Sequence, residues 1–168
     1  MRAFTAVKSA MKALVLGRFQ PLHNGHVRMI TKASKLADKL VIGVGSSNKS
    51  RTYKNPFTYD ERNFMISSSI NVKIPYSIAG IPDFGNNDLW IAWIDDNIDF
   101  DVFVSNADNE LKIFDDYGFK TQKLELRDDR ISSTKVRELM IEKKPIDKMV
   151  PPVVMKFINE MNLKLVWI

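Results

Sequence analysis

The stretch GRFQPLHNGH, residues 17–26, decides how the rest of the chain is interpreted. It follows an apolar run, residues 13–16, that is typical of a short buried β-strand. It precedes residues 27–36, whose pattern predicts an amphipathic helix. Both histidines of the chain therefore lie where a strand turns into a helix. In open α/β sheets, ligands bind at such turns, beyond the carboxyl ends of the strands.

The residue types in this stretch suit an anion. We expect Asn24 to cap the helix, with His26 in its first turn and His23 just before it. Free main-chain N–H groups and the helix dipole favour phosphate there, and imidazole N–H groups can donate to its oxygens. Arg18 adds a fixed positive charge. An isolated histidine is usually a surface or core residue, but the pattern H-x-G-H at such a turn favours a phosphate site.

A second helix start of the same kind follows near the other end of the chain. Three hydroxyl residues, at positions 132–134, precede a helix predicted over residues 135–142. Hydroxyl and N–H groups there can form an anion nest, and Arg137 can grip the same phosphates with two nitrogens. The alternative interpretation of the same residues is an ordinary helix cap followed by an exposed arginine. The neighbouring Arg130 and the first such helix start favour a paired site.

Further loops at the same edge of the predicted sheet carry polar and aromatic groups. Ser46 follows the second predicted strand, and Asn106 follows the fourth. Trp90 begins an apolar helix after a polar loop that contains Asp83 and Asn87. An indole there can stack on a flat ring such as nicotinamide or adenine, while Asp83 and Asn87 bind that ring's amide. A core position for Trp90 is the alternative.

Alternating strands and helices predict one α/β domain of the Rossmann-like type, an open parallel sheet with helices on both faces. Strands are predicted over residues 39–45, 72–78, 101–106 and 120–124, and helices from Thr58 and over residues 89–94, 110–114 and 151–161. Arg62, in the helix that Thr58 begins, is predicted either to reach the site or to form a surface salt bridge. Residues 163–167 are interpreted as a last strand or a contact with another subunit.

The composition narrows the class of protein. A chain of 168 residues is long enough for one substantial core and short for two. The formal charge of +5 suits an anionic ligand, either a nucleotide or a nucleic acid. The absence of cysteine excludes disulfides and thiolate metal sites, and no apolar run is long enough to span a membrane. We therefore expect a cytoplasmic protein with residues 1–10 as a disordered extension and no membrane partner.

Two motifs carry a family resemblance. Residues 17–26 resemble the signature of the H-x-G-H nucleotidyltransferase superfamily, and in their full form that of archaeal-type nicotinamide-nucleotide (NMN) adenylyltransferases. The run ISSTKVR, residues 131–137, resembles the I-S-x-T-x-x-R motif of the same family. The intervening segments GSSNKS, NPFTYDER and SN come in the expected order, so the resemblance covers nearly all of residues 11–161. It implies that residues 11–168 form a nucleotidyltransferase domain.

The resemblance implies a reaction and a set of site residues. NMN and ATP, with Mg²⁺, give NAD and pyrophosphate by in-line attack on the α-phosphorus, without a covalent enzyme intermediate. The implied catalytic residues are His23, His26, Arg18 and Arg137. Those implied for ATP and its phosphates are Gly17, Arg18, Phe19, Gln20, His23, Gly25, His26, Ser132, Ser133, Thr134 and Arg137. Those implied for NMN or NAD are Ser46, Lys54, Asp83, Asn87, Trp90 and Asn106.

Several alternatives stay open at this point. H-x-G-H alone is shared with pantetheine-phosphate, flavin and cytidylyl transferases, so the acceptor can also be FMN or phosphopantetheine. A non-catalytic nucleotide- or RNA-binding module is a further possibility; the adenylyltransferase prediction implies no nucleic-acid partner. Some family members carry an arginine before the P-F-T segment where this chain has Lys54, with Arg51 nearby. Archaeal relatives commonly form hexamers, which implies a homo-oligomer.

Overall fold

The computed structural model describes residues 10–126 and 131–161. Within these residues the strands are β1 (Lys12–Gly17), β2 (Lys39–Gly45), β3 (Tyr76–Ile81), β4 (Val102–Ser105) and β5 (Thr121–Lys123). The helices are α1 (Asn24–Ala33), α2 (Tyr59–Ser69), α3 (Asn87–Asn97), α4 (Asp108–Asp116), α5 (Ser133–Ile141) and α6 (Pro152–Glu160).

The five described strands form one parallel sheet in the order β3-β2-β1-β4-β5. The chain winds outward from β1 through β2 to β3, then crosses to the other side of β1 to add β4 and β5. The strand order therefore reverses between β1 and β4, which is the topological switch point where such sheets bind ligands. The loop that holds both histidines follows β1, and Asn106 follows β4, so both loops lie at this point.

The sheet separates two apolar cores, because successive side chains of a strand point to opposite faces. On β1, Ala13 and Val15 belong to one core, and Leu14 and Leu16 belong to the other. The first core packs β1 and β2 against α1, α2, α5 and α6, while the second packs the sheet against α3 and α4. Helices therefore cover both faces, which confirms the predicted α/β architecture.

The third strand and the first helix differ most from their predicted boundaries. The third strand begins at Tyr76, four residues later than predicted, directly after Pro75. Pro75 has no N–H for a ladder hydrogen bond, although its carbonyl accepts the N–H of Leu40 at 3.0 Å. Val72 and Ile74, whose apolar character suggested a strand, pack against the first core from the preceding connection instead. The first helix begins at residue 24 and ends at residue 33, three residues before its predicted end.

Some predictions concern parts of the chain outside the described residues. These are the predictions for residues 1–9, for Arg130 and for residues 163–167. The prediction of an extension and one following domain is likewise not tested. No helix in the described ranges is long and apolar enough to cross a lipid bilayer.

Candidate active site

The two sequence motifs meet in one cavity at the carboxyl edge of the sheet. Its walls come from the loop after β1, the loop after β4 and the start of α5. The cavity has a volume of about 350 Å³. Its lining residues are Leu16, Gly17, Arg18, Phe19, Gln20, His23, His26, Met29, Asn106, Ala107, Glu110, Ile131, Ser132, Ser133, Thr134 and Arg137.

The two histidines cap the first turn of α1 for each other. The N–H of His26 donates to Nδ1 of His23 at 3.3 Å, and the N–H of His23 donates to Nδ1 of His26 at 3.3 Å. Their rings stack with centroids 3.6 Å apart. The prediction that Asn24 caps this helix is wrong. Asn24 is its first residue, and its main-chain and side-chain nitrogens donate to carbonyls of Met149 and Lys148, so it is engaged with the 148–149 segment.

This arrangement assigns the protons of both rings. Because each Nδ1 accepts an N–H group, the hydrogen of each imidazole lies on Nε2. Burial, with the nearby charge of Arg28, lowers the pKa of His23 to about 4. Burial and the neighbouring His23 hold the pKa of His26 well below its usual value. Both rings are therefore neutral near pH 7, and each presents one N–H donor at Nε2.

Aromatic packing holds the histidine pair in place. Phe19 is fully buried and meets the ring of His26 edge-on, with centroids 4.8 Å apart. A Cβ on Gly17 would lie 2.8 Å from the Phe19 ring, and a Cβ on Gly25 would lie 3.0 Å from the His23 ring. The two glycines of the motif thus make room for these rings. Gly25 is not among the cavity-lining residues given above.

The start of α5 is joined to the first motif by direct hydrogen bonds. Ser132 caps α5 by accepting the N–H of Lys135 at 3.1 Å. The hydroxyl of Ser133 donates to the carbonyl of Pro21 at 3.0 Å. Residues 132–134 therefore face the histidine loop, which confirms the spatial pairing that the sequence suggested.

Arg137 makes the second connection between the motifs. The residue is 2% exposed; Nη1 donates to the carbonyl of Gln20 at 2.7 Å, and Nη2 donates to the hydroxyl of Thr134 at 3.1 Å. Its Nε is buried and has no hydrogen-bond partner within the described residues. Burial, followed by the charge of Arg18, lowers the pKa of Arg137. The guanidinium thus holds the main chain of the first motif while it lines the cavity.

Gln20, predicted to contact ATP, has a structural function that the sequence did not reveal. Its side chain is fully buried, its Nε2 donates to the carbonyl of Phe57 at 2.9 Å, and its Oε1 accepts the N–H of Phe57 at 2.9 Å. This pair of hydrogen bonds ties the first motif to residues 55–57. A contact between Gln20 and ATP stays a prediction.

Arg62 has a different place in the structure from either of the two that the sequence predicted. It is fully buried and neither lines the cavity nor pairs with a surface carboxylate. Its guanidinium donates to the carbonyls of Thr58, Arg18, Gly45 and Ser46 at 2.7–3.1 Å. Burial and the charge of Arg18 lower its pKa to about 10, so it stays charged near neutral pH. Arg62 therefore joins the ends of β1 and β2 and adds positive charge beneath the site.

Of the residues predicted for NMN, only Asn106 lines the cavity. Ser46 donates to the carboxylate of Asp83 at 3.4 Å, and Lys49 pairs with the same carboxylate at 2.7 Å. These hydrogen bonds and the charge of Lys49 lower the pKa of Asp83. Ser46 and Asp83 thus come together at the ends of β2 and β3.

Asn87 and Trp90 lie in the first turn of α3. Asn87 is exposed, whereas Trp90 is half-buried and meets Phe114 of the second core edge-on, with centroids 5.8 Å apart. The core alternative for Trp90 is thus correct for part of its ring. Contact of either residue with a nicotinamide ring stays a prediction.

Lys54 and Arg51 differ in what they contact. Arg51 donates through Nη1 to the carboxylate of Glu61 at 2.9 Å and to the carbonyl of Pro56 at 3.0 Å. Lys54 is exposed at a turn formed by residues 52–55. The guanidinium of Arg51 is therefore already occupied, which leaves Lys54 as the better candidate for an acceptor phosphate.

Glu110 lines the cavity and was not singled out in the sequence. It is the one acidic residue among the described residues of the lining, and its carboxylate accepts the hydroxyl of Ser105 at 2.7 Å. Burial raises the pKa of Glu110, against the opposing effect of the Ser105 hydroxyl. No local sequence signal marks Glu110 as a lining residue. Its proximity to the two motifs is visible only in the three-dimensional structure.

This raised pKa predicts a pH-dependent gain in stability for Glu110→Gln. A folded-state pKa above the usual 4.5 means that the folded chain binds a proton more tightly than the unfolded chain, so stability falls as pH rises through this range. Glutamine keeps an acceptor for Ser105 without the buried charge. We expect Glu110→Gln to raise the Tm more at pH 7.5 than at pH 5.

Thermal denaturation of both proteins at the two pH values measures this gain. Glu142→Gln is the matched control, because Glu142 is exposed and Lys144 lowers its pKa, so this variant has no buried charge to relieve. An equal or lower Tm for Glu110→Gln at pH 7.5 would show that burial of Glu110 costs no stability.

The cavity has no protein cage for a metal ion. In residues 10–126 and 131–161, no three His, Cys, Asp or Glu side chains come close enough to hold one. Arg18, Arg137 and the two imidazoles that line it are cationic or neutral donors suited to anions.

This parallel sheet is doubly wound and has hydrogen-bond donors suited to phosphate at its switch point. These features define a class of protein, the α/β enzymes that act on nucleotides. Comparison with known families agrees with this class. The cytidylyltransferase-like family model matches residues 14–139, and the chain belongs to this family.

Similar sequences are more specific. A nicotinamide-nucleotide adenylyltransferase of Thermococcus sibiricus is 32% identical over 158 residues, which cover 90% of this chain and 85% of the relative. A protein of the same name from Methanoculleus marisnigri is 33% identical over 154 residues, 90% of this chain and 92% of the relative. The predicted resemblance to archaeal NMN adenylyltransferases is therefore confirmed.

Solved structures share the fold. A bifunctional NMN adenylyltransferase/ADP-ribose pyrophosphatase from Francisella tularensis, crystallised with AMP and a manganese ion, has a TM-score of 0.70 at 20% identity. The match covers 94% of this chain and 52% of that protein, so the chain spans about half its length. A lipopolysaccharide core biosynthesis protein from Thermoplasma volcanium matches at a TM-score of 0.51 and 19% identity, with 71% of this chain and 99% of that protein covered.

Proposed function

We propose that this chain transfers the adenylyl group of ATP to nicotinamide mononucleotide, which gives NAD and pyrophosphate. An oxygen of the NMN phosphate attacks the α-phosphorus, the bond between that phosphorus and the bridging oxygen to the β-phosphorus breaks, and pyrophosphate leaves. The observation that carries this proposal is the pair of reciprocally capped histidines at the switch point, in a chain about 32% identical to archaeal NMN adenylyltransferases.

The histidine geometry supports direct transfer without a covalent intermediate. Each Nδ1 is occupied by a main-chain N–H, and each Nε2 carries a proton, so neither ring has a free nucleophilic nitrogen. The two Nε2–H groups can instead donate to the oxygens of the α-phosphorus as charge accumulates there. Donors that are already in place cost no reorganisation during the reaction, which is the main source of such catalysis.

Positive charge around the cavity supports a polyphosphate ligand. Arg18 and Arg137 line it, and Arg62 lies buried beneath it with carbonyl rather than carboxylate partners. Residues 132–134 add hydroxyl and N–H groups at the start of α5. We assign Arg18, Arg137 and residues 132–134 to the β- and γ-phosphates, which become the leaving pyrophosphate.

The remaining features of the proposal concern partners. ATP enters as its Mg²⁺ complex, and the cation offsets phosphate charge. We propose Ser46, Asp83, Asn87 and Trp90 for the nicotinamide half of the acceptor. Three further predictions remain: a homo-oligomer, with a hexamer as its expected size, a cytoplasmic location and the absence of nucleic-acid partners.

A pyrophosphate-release assay tests the function. The protein is incubated with ATP, Mg²⁺ and one of four acceptors: NMN, nicotinic acid mononucleotide, FMN or phosphopantetheine. We expect release with NMN and NAD as the product. Release only with FMN or phosphopantetheine would contradict the assignment of NMN as the acceptor. No release with any of the four, from a folded protein that binds ATP, would indicate a binding module.

Lys54→Ala tests the acceptor phosphate. We expect it to raise the KM for NMN about 10- to 100-fold, the equivalent of one charged hydrogen bond, and to change the KM for ATP less than about threefold. Arg51→Ala is the matched comparison, because it removes a cation that is held by Glu61. This variant should lower the Tm but leave the KM for NMN nearly unchanged. The reverse pattern in steady-state kinetics would assign the phosphate to Arg51.

A further inference from the structure

A tight turn lies beside the cavity at residues 52–55. The N–H of Thr52 donates to the carbonyl of Asn55, and the N–H of Asn55 donates to both the carbonyl and the hydroxyl of Thr52, each at 3.1 Å. Tyr53 and Lys54 are the two central residues of this turn. A displacement of one of them must therefore displace the other.

Both ends of the turn are fixed to the rest of the site. On one side, the guanidinium of Arg51 binds the carboxylate of Glu61 and the carbonyl of Pro56. On the other, Phe57 is fully buried and its main chain is held by both amide atoms of Gln20. The turn is thus attached to the first motif through main-chain hydrogen bonds, with its tip as the exposed part.

The tip itself contacts the second motif. The guanidinium carbon of Arg137 lies 5.5 Å from the centre of the Tyr53 ring, within the range of a cation–π interaction. Arg137 is fixed at this place by the carbonyl of Gln20 and the hydroxyl of Thr134. Tyr53 therefore connects the turn that carries Lys54 with an arginine that lines the phosphate cavity.

We propose that Tyr53 is a positioning residue that couples the binding of the two substrates. This inference rests on the proposed function, in which Arg137 contacts ATP and Lys54 contacts the acceptor phosphate. The guanidinium of Arg137 already has two hydrogen-bond partners, and an ATP phosphate adds a third contact to it. The ring of Tyr53 then lies against a more firmly held partner, and the turn holds Lys54 in place. NMN therefore binds more tightly to the ATP complex than to the free protein, and ATP gains by the same factor.

Calorimetric titration with NMN, with and without saturating α,β-methylene ATP and Mg²⁺, measures this coupling. We expect Tyr53→Leu to weaken NMN binding about 3- to 30-fold with the analogue, the strength of one cation–π contact, and less than about twofold without it. Tyr53→Phe keeps the ring and should stay within about twofold of the parent in both titrations. A structural contact alone would not produce this dependence on the analogue.

Tyr76→Leu is the matched control, since Tyr76 is 40% exposed against 41% for Tyr53 but lies at the opposite edge of the sheet, where β3 begins. It should leave both titrations unchanged. Equal losses for Tyr53→Leu with and without the analogue, no loss at all, or a parent without coupling would each overturn the inference. If Tyr53→Leu lowers the Tm, Tyr53→Gln provides a second removal of the ring. A parent that makes NAD while Tyr53→Leu keeps full coupling overturns only the inference on Tyr53.

Discussion

His26→Ala is expected to lower kcat about 10²- to 10³-fold, the usual loss for one pre-positioned donor to a developing oxyanion. The neutral ring of His26 presents Nε2–H because its Nδ1 accepts the N–H of His23. Alanine removes this donor when the α-phosphorus carries the most charge, so the effect appears in kcat rather than in KM. Steady-state rates of NAD formation at saturating ATP and NMN measure it.

The same substitution also removes half of a helix cap, which needs a control. Thr58→Ala removes one of the two hydrogen bonds in the capping box of α2, in which Thr58 corresponds to His23 and Glu61 to His26. Both variants should lose about 1 kcal/mol of stability, the typical value for a cap. Only His26→Ala should lose kcat. A His26→Ala protein that keeps more than about a tenth of the parent kcat would exclude His26 as a donor in the transition state.

Arg62→Met is expected to lower the free energy of unfolding by about 3–5 kcal/mol, because a hydrogen bond from a charged donor contributes roughly 1.5–3 kcal/mol and several are lost. The substitution removes the guanidinium donor from three carbonyls at the ends of β1 and β2 and from the carbonyl of Thr58 before α2. For a chain of this length the Tm should fall by about 6–20 °C. Arg62→Lys keeps the charge but has fewer donors, so an intermediate loss is expected.

Urea denaturation gives the free energy of unfolding for these variants. Lys112→Met is the matched control: Lys112 is exposed, and its ion pair with Asp116 is of the i, i+4 type on α4. Exposed pairs of this kind contribute about 0.3–0.5 kcal/mol. An Arg62→Met protein as stable as Lys112→Met would mean that the four carbonyls find other partners at no cost.

Local sequence predicted the parts of this fold that depend on neighbouring residues. The strand before the histidine stretch and the helix that begins after Thr58 are examples, since they depend on periodicity and on side chains a few residues apart. Pairing of the two motifs was predicted because both are helix starts that carry groups suited to phosphate. Local sequence was misleading around Pro75. Apolar residues on both sides of this proline favoured a strand over residues 72–78, but the strand begins only at Tyr76.

Long-range hydrogen bonds account for what the sequence did not predict. Arg62 binds carbonyls up to 44 residues away, and Gln20 binds Phe57 across 37 residues. Main-chain carbonyl partners cannot be recognised from the amino-acid sequence, because every residue has a carbonyl. Likewise, the capping by His23 and His26 depends on ring orientation, and asparagine at the next position is the more usual cap. The sequence thus predicted that residues of both motifs lie close together, but not the hydrogen bonds that hold them there.

The hydroxyl of Ser133 reaches the carbonyl of Pro21 across 112 residues of chain, and Arg137 reaches Gln20 across 117. During synthesis, the ribosome releases both histidines long before either partner exists. A nascent chain that has emerged only as far as α4 contains four of the five described strands, yet it lacks the serines and the arginine that close the cavity. Catalytic competence is therefore acquired late in translation, when α5 docks on a loop that was made among the first.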